Sequence, residues 1–249
     1  MILLIDQGNS FSKWCLCENG NFSEYNSGSL ADLDEFISTY NNDIKNVYLA
    51  CVKNEQQIER LTQVINNHLD IDIQVASSEA KYSLSDNNIL KNAYKIPEQL
   101  GIDRWLAMIA VWKETKKGFI IVDAGSALTL DVVDNSGQHL GGHIIPGLSM
   151  QKKSLTADTE KVFFENKTDV SAYRLGRSTS EAVHNGCLST LCSYITEMYG
   201  YHKGSNDLPL ILTGGDAEVL SKALSTENKV QKSLVLKGLY YFNKEKAND

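Results

Sequence analysis

The sequence predicts an α/β fold of two duplicated domains, each a mixed sheet flanked by helices, with a ligand cleft between them. Three observations carry this. First, a strand, an acidic D-x-G turn, a second strand and a glycine turn occur twice. Asp6-Gln7-Gly8-Asn9-Ser10 follows Leu3-Leu4-Ile5, and Asp123-Ala124-Gly125-Ser126 follows Phe119 to Val122. In both copies the turn glycine, Gly20 or Gly137, comes 14 positions after the aspartate, and the copies are 117 positions apart. Second, apolar runs of strand length alternate with helical apolar stripes. Third, two copies of one supersecondary unit at such a separation point to a duplicated pair of domains facing each other. The predicted domains are 1–112 and 113–249, with the option that the terminal helix packs back on the first.

Each element has its own signal. Met1 to Asp6 and Ser10 to Glu18 are the first two strands, turned at Glu18-Asn19-Gly20. Ser29 is placed to cap a helix whose Leu30, Leu33, Phe36, Ile37 and Tyr40 make one stripe. Asn46 to Val52 reads as a buried strand. Ile58, Leu61, Ile65 and Leu69 mark a second helix, and Ile71 to Val75 another strand. The first half thus reads β-β-β-α-β-α-β, with helices layered on a sheet. Lys81 to Gln99 is polar, holds Asp86-Asn87-Asn88 and the first of three prolines, and is predicted to be a long functional loop. It leads into Leu100 to Trp105, where a helix bearing Trp105, Leu106, Ile109 and Trp112 begins.

In the second half, Ala127 to Val133 is a strand that Asp134-Asn135-Ser136-Gly137 turns back. Met150 to Asn166 reads as a helix plus loop at the cleft edge. Ser178-Thr179-Ser180-Glu181 has capping-box spacing and opens a long helix with Leu188, Leu191, Cys192, Ile195 and Met198 on one face. Leu208 to Leu212 is a strand entering Thr213-Gly214-Gly215-Asp216, a helix follows, and Lys229 to Lys246 is a terminal helix.

Composition narrows the function classes. The chain has 249 residues, 42% hydrophobic, and 24 basic against 31 acidic residues give a formal charge of −7. There is no dense Lys/Arg run, which disfavours nucleic-acid or membrane-surface binding. No apolar run is long enough to span a bilayer, and Asp6 interrupts the short N-terminal one. Five cysteines, with no CxxC pair and no histidine at zinc spacing, fit a reducing, cytoplasmic compartment. Cys15 and Cys17 alternate along a strand as small core residues.

The chemistry-bearing residues cluster at the turns. A carboxylate, a glycine and a hydroxyl between two strands suit an anion held on backbone N–H groups, with Asp123 recruiting a cation. Taken alone, most such tetrapeptides are only tight turns. Lys13 either reaches a phosphate or is a solvated strand lysine. Asp103 at a helix start is favoured by the dipole, and beside Arg104 it forms an acid–base pair at the end of a loop. Thr213-Gly214-Gly215-Asp216 lets backbone approach a flat ligand or a phosphate, and His143 is a candidate for the cleft wall. There is no P-loop, dinucleotide fingerprint, H-E-x-x-H or G-x-S-x-G.

These motifs, in this order, resemble the type III pantothenate kinases, members of the acetate and sugar kinase/Hsp70/actin superfamily. The resemblance runs from Asp6–Ser10 through Leu100–Trp105, Asp123–Ser126, Gly141–Gly147 and Ser178–Ala182 to Leu212–Asp216. It implies ribonuclease H-like (actin-like ATPase) domains and ATP-dependent phosphorylation of pantothenate, the first step of coenzyme A biosynthesis. It also implies an ATP and Mg²⁺ (or other divalent cation) segment of Asp6, Gln7, Gly8, Asn9, Ser10, Phe11, Ser12 and Lys13, with Asp6 placing the metal. Asp103 is then the proton acceptor, and Gly101, Ile102, Asp103, Arg104, Tyr94 and Thr179 contact pantothenate. Asp123 becomes a ligand of K⁺ or NH₄⁺, and Ser126 contacts nucleotide. A cytoplasmic homodimer, with pantothenate partly at the subunit interface, is the expected form. Two departures from the family pattern stand out, since Ser10 and Ser126 replace threonines. Each keeps the hydroxyl and loses a methyl, so modest weakening of nucleotide positioning is expected at most. Two alternatives stay open, a related small-molecule kinase and a non-catalytic, transcription-linked accessory protein of the same fold.

Overall fold

The computed structural model describes residues 1–8, 11–52, 55–85, 88–156, 172–204 and 208–246. The chain divides into two compact units, Met1–Lys116 with Ser233–Asp249, and Lys117–Lys232.

The first unit is built on β1 (Ile2–Gln7), β2 (Ser12–Glu18), β3 (Asn21–Phe22), β4 (Asn26–Gly28), β5 (Asn46–Cys51) and β6 (Ile73–Val75), in the order β3-β2-β1-β5-β6, with β4 also on β2. β1 runs antiparallel to β2 and parallel to β5. Helices α1 (Leu30–Tyr40) and α2 (Glu55–Asn66) cover one face. There Leu3, Ile5, Trp14 and Leu16 of the sheet meet Leu33, Ile37, Leu61 and Ile65. Leu4, Cys15, Cys17 and Tyr48 point to the other face, since side chains alternate along a strand. Helix α3 (Ile102–Thr115) packs with α7 (Leu234–Lys246), α7 lies against β1, β2 and β5, and α3 against β5. α3 is apolar almost all round and buried from Arg104 to Trp112, as an interior helix must be.

The second unit repeats the plan. β9 (Phe119–Ala124), β10 (Ala127–Val133), β11 (His139–Pro146), β12 (Leu210–Thr213) and β13 (Lys229–Val230) take the order β11-β10-β9-β12-β13. β9 is antiparallel to β10 and parallel to β12. α4 (Leu148–Thr156), α5 (Thr179–Lys203) and α6 (Ala217–Ala223) complete it. Its core joins Ile120, Val122, Leu128 and Leu130 to Leu188, Leu191, Ile195 and Leu220. Three antiparallel strands followed by two parallel ones, in one spatial order, therefore occur in both units.

Three expectations need correcting. Lys81 to Gln99 is not a loop throughout, because β7 (Lys81–Ser83) and β8 (Ile89–Lys91) pair as a hairpin and Pro97–Gln99 is a turn of 3₁₀ helix. Strands of three residues are too short to show a period in sequence. The terminal helix starts at Leu234. Lys229–Val230 is instead a strand paired with Ile211–Leu212, and Ser233, at φ 57°, breaks the chain between them. Finally, the third N-terminal strand is two short ones, β3 and β4. Cys15, Cys17, Cys187 and Cys192 are buried free thiols, and no helix among the described residues is long and apolar enough to cross a membrane.

Candidate active site

The first acidic hairpin is sorted by strand alternation. Asp6 pairs across with Lys13, and Gln7 with Ser12. Asp6 and Lys13 thus share the α3/α7 face, while Gln7 and Ser12 share the α1/α2 face with Ile5 and Trp14. Asp6 is 6% exposed and Lys13 is exposed. Gly8 continues from β1, Phe11 is solvent-facing, and Asn9 and Ser10 lie outside the described residues. On the other face, Gln7, Phe11 and Ser12 line a cavity of about 210 Å³ with Ser29, Gln57 and Arg60.

The start of α3 supplies the next group. Gly101 is the N-cap and offers no side-chain cap, so the first-turn N–H groups depend on other partners. Asp103 Oδ1 accepts the Arg104 N–H at 2.8 Å, at the positive end of the helix dipole, which favours the carboxylate. Arg104 is buried and donates from Nη1 to the Tyr94 hydroxyl at 2.9 Å, with its guanidinium 5.7 Å from the Tyr94 ring centre. The structure thus brings together Tyr94, Asp103 and Arg104 from a loop and a helix start. The Ile102 side chain is buried, leaving only its backbone to offer a ligand.

Sequence reading missed two residues that shape this loop. Asn92 accepts the Tyr94 N–H at 2.9 Å and donates from Nδ2 to the carbonyls of Glu79 and Pro97. Ser78 donates to the Leu100 carbonyl at 2.8 Å. An asparagine beside a proline-bearing loop was the available signal, because its amide can tie several backbone groups at once.

In the second unit the acidic turn is braced by its neighbours. Asp123 is half-buried at the end of β9, opposite Thr213 of the parallel strand β12. Gly214, at φ +93°, lies so close that a Cβ there would be 2.4 Å from Asp123 Oδ1. The Asp216 N–H donates to the Ala124 carbonyl at 2.9 Å, and the Gly147 N–H to the Ser126 carbonyl at 3.1 Å. The turn is thus held from both sides, with Ser126 exposed. Burial raises the Asp216 carboxyl above its ordinary range, and the Lys152 ammonium opposes this. Burial likewise lowers Lys152, against the pull of Asp216 and Cys187.

Thr179 is exposed at the first position of α5. Ser178 caps this helix by accepting the Glu181 N–H at 3.2 Å, but the Glu181 carboxylate takes the Arg177 N–H rather than that of Ser178. The capping box implied by the spacing is therefore only half made. His143 is exposed on β11 and bonds Tyr194 through Nδ1 at 2.8 Å.

Among the described residues no three His, Cys, Asp or Glu side chains converge to hold a metal ion. The donors on offer are single carboxylates, Asp6 in one unit and Asp123 in the other. Hard oxygen ligands of this kind suit Mg²⁺ shared with phosphate, or a monovalent cation completed by carbonyls and water, rather than a closed protein cage.

Two sheets of one strand order, each with an acidic hairpin beside its central strand, give the fold class shared by actin-like ATPases and sugar kinases. Solved structures agree. A Sinorhizobium meliloti protein assigned as a 2-dehydro-3-deoxygalactonokinase superposes at TM-score 0.59 over 98% of this chain and 99% of its own, at 11% identity. MreB 5 of Spiroplasma citri bound to AMPPNP does so at 0.50, covering 99% and 97%, at 10% identity. Within that class the chain belongs to the type III pantothenate kinase family, whose model matches residues 2–200. The type III pantothenate kinase of Marinobacter nauticus is 36% identical over 241 residues, 96% of each chain. That of Cellvibrio japonicus is 32% identical over the full length of both. A Campylobacter jejuni structure assigned to the Baf family of transcriptional activators is 26% identical, with TM-score 0.65 over 99% of this chain and 100% of its own.

Proposed function

We propose that this protein phosphorylates pantothenate at the expense of ATP, giving 4'-phosphopantothenate in the first step of coenzyme A biosynthesis. Family membership over nearly the whole chain supports this. The observation that carries the chemistry is Asp103, a partly exposed carboxylate at the start of α3 beside the Tyr94–Arg104 pair.

Phosphoryl transfer asks the protein mainly for alignment and charge compensation. In this reading Tyr94, Gly101, Ile102 through its backbone, Arg104 and Thr179 orient pantothenate. Asp103 takes the proton of its primary hydroxyl as the oxygen attacks the γ-phosphorus. The Gly8 backbone, with the Asn9–Ser10 segment, receives phosphate oxygens, Lys13 adds positive charge on the Asp6 face, and Ser126 touches nucleotide. Asp6 would hold Mg²⁺ and Asp123 a K⁺ or NH₄⁺ ion, cations that offset the phosphate charge when bound. The reading carries with it a cytoplasmic homodimer.

A second reading is a transcription-linked accessory protein that has lost turnover, favoured by the assignment of the Campylobacter jejuni relative. Retention of Asp6, Asp103, Arg104 and Asp123 weighs against it, because a binder needs no base. A coupled ATP assay with pantothenate, run with and without potassium, separates the two. Pantothenate-dependent, potassium-stimulated ADP release is expected. ATP binding without consumption of pantothenate would replace the kinase with the accessory protein.

A further inference from the structure

Gln7 and Ser12 belong to the segment expected to bind nucleotide, yet their side chains point away from the Asp6 face. Both are buried, at 8% and 3% exposure, and they answer each other. The Ser12 hydroxyl donates to Gln7 Oε1 at 2.5 Å, and Gln7 Nε2 donates to the Gly8 carbonyl at 3.0 Å. One amide therefore ties the strand after the acidic turn to the first residue of the turn itself. The cavity they line opens toward Ser29, Gln57 and Arg60 on the α1/α2 side, so a nucleotide placed by Asp6 lies across the sheet from them.

We infer that Gln7 and Ser12 are positioning residues of the phosphate hairpin, a relay Ser12–Gln7–Gly8 that fixes the Gly8 peptide without touching nucleotide. The inference rests on the kinase reading for its substrate but not for its geometry. A glutamine amide suits the role because it accepts at one end and donates at the other, so each end reports on a different neighbour. Losing either partner leaves a buried polar group unsatisfied and frees the Gly8 peptide to rotate.

The relay is tested by Gln7→Leu, Ser12→Ala, the double variant and Ser12→Thr, in steady-state assays with ATP and pantothenate varied separately. Each of the first two is expected to raise KM for ATP about three- to thirtyfold, with kcat and KM for pantothenate within about twofold. Because they act through one chain of bonds, the double variant should be no worse than the poorer single one. Ser12→Thr keeps the hydroxyl, has the cavity to receive its methyl, and should recover the wild-type KM. Independent, multiplying effects on KM would show two direct nucleotide contacts and overturn the relay. A fall in melting temperature with unchanged KM for ATP would show a purely structural role and overturn it equally. If the wild-type protein fails to phosphorylate pantothenate, the kinase reading falls, and equilibrium titration of the same four variants with ATP decides the relay alone. ATP that binds neither wild type nor variants sinks the relay too.

Discussion

Gly214→Ala probes the contact on which the second acidic turn depends. At φ +93° an alanine is strained by roughly 1–2 kcal/mol relative to glycine. Its Cβ would also lie 2.4 Å from Asp123 Oδ1 and 2.6 Å from both the carbon and the oxygen of the Ala124 carbonyl. That carbonyl cannot simply retreat, since it accepts the Asp216 N–H and Ala124 is paired to Leu128. Relieving the overlap adds about 1–3 kcal/mol of overpacking, for a total of roughly 2–5 kcal/mol. For a chain of this size the loss corresponds to a fall in Tm of roughly 5–15 °C. Asp123 Oδ1 must also move, so with Asp123 in its proposed role as a K⁺ ligand, potassium activation should shift to higher ion concentration. Differential scanning calorimetry and a potassium titration of turnover read the two effects. Gly215→Ala is the control, because nothing lies within 4 Å of a Cβ there, and it should melt like wild type. Gly214→Ala with unchanged Tm and potassium response would refute the reasoning.

Other outcomes follow from packing and titration. A Cβ on Gly238 would fall 1.9 Å from the Leu106 carbonyl oxygen, so Gly238→Ala must push α7 off α3 and should cost about 3 kcal/mol or more in urea unfolding. Hydrogen bonds from the Ser29 hydroxyl and backbone N–H hold the Asp32 carboxyl below its ordinary 3.8. A depressed carboxylate stabilises above its unfolded pKa and loses that contribution as pH falls through the folded one. Asp32→Asn should therefore melt below wild type at pH 7, and the gap should close below about pH 3.8 in a pH series of melts. Burial pushes the Cys15 thiol up to about 12 and Cys192 to about 11. Mass spectrometry after brief alkylation at pH 8 should find both unmodified, and half-buried Cys51 labelled first.

Much of this was legible because the signals were local. The hairpin Phe119–Val133 announces itself by two apolar runs around Asp123–Ser126, and Asp134–Gly137 by turn chemistry. Asp134 Oδ1 there accepts the N–H groups of Ser136 and Gln138. Helix α5 starts at its cap. What escaped was decided by tertiary pairing. Lys229–Val230 has no strand signal of its own and becomes one only beside Ile211–Leu212. β7 and β8 are each too short to show alternation. The division of the first hairpin into an Asp6 face and a Gln7 face was available from the period of a strand alone. Treating Asp6 to Lys13 as one binding segment hid it. Ser78 left no pattern in sequence, since its one bond to the Leu100 carbonyl forms only in the folded chain, and Asn92 offered only its place beside the proline-bearing loop.

The central claim is that Asp103 deprotonates pantothenate for attack on ATP. Transfer of radiolabel from γ-labelled ATP to pantothenate, compared between wild type and Asp103→Asn, tests it most directly. Wild type should yield labelled 4'-phosphopantothenate. Asp103→Asn should lower kcat by about 10²–10⁴ with little change in Tm. Undiminished transfer by Asp103→Asn would remove Asp103 from that role, and no labelled product from wild type would contradict the kinase itself.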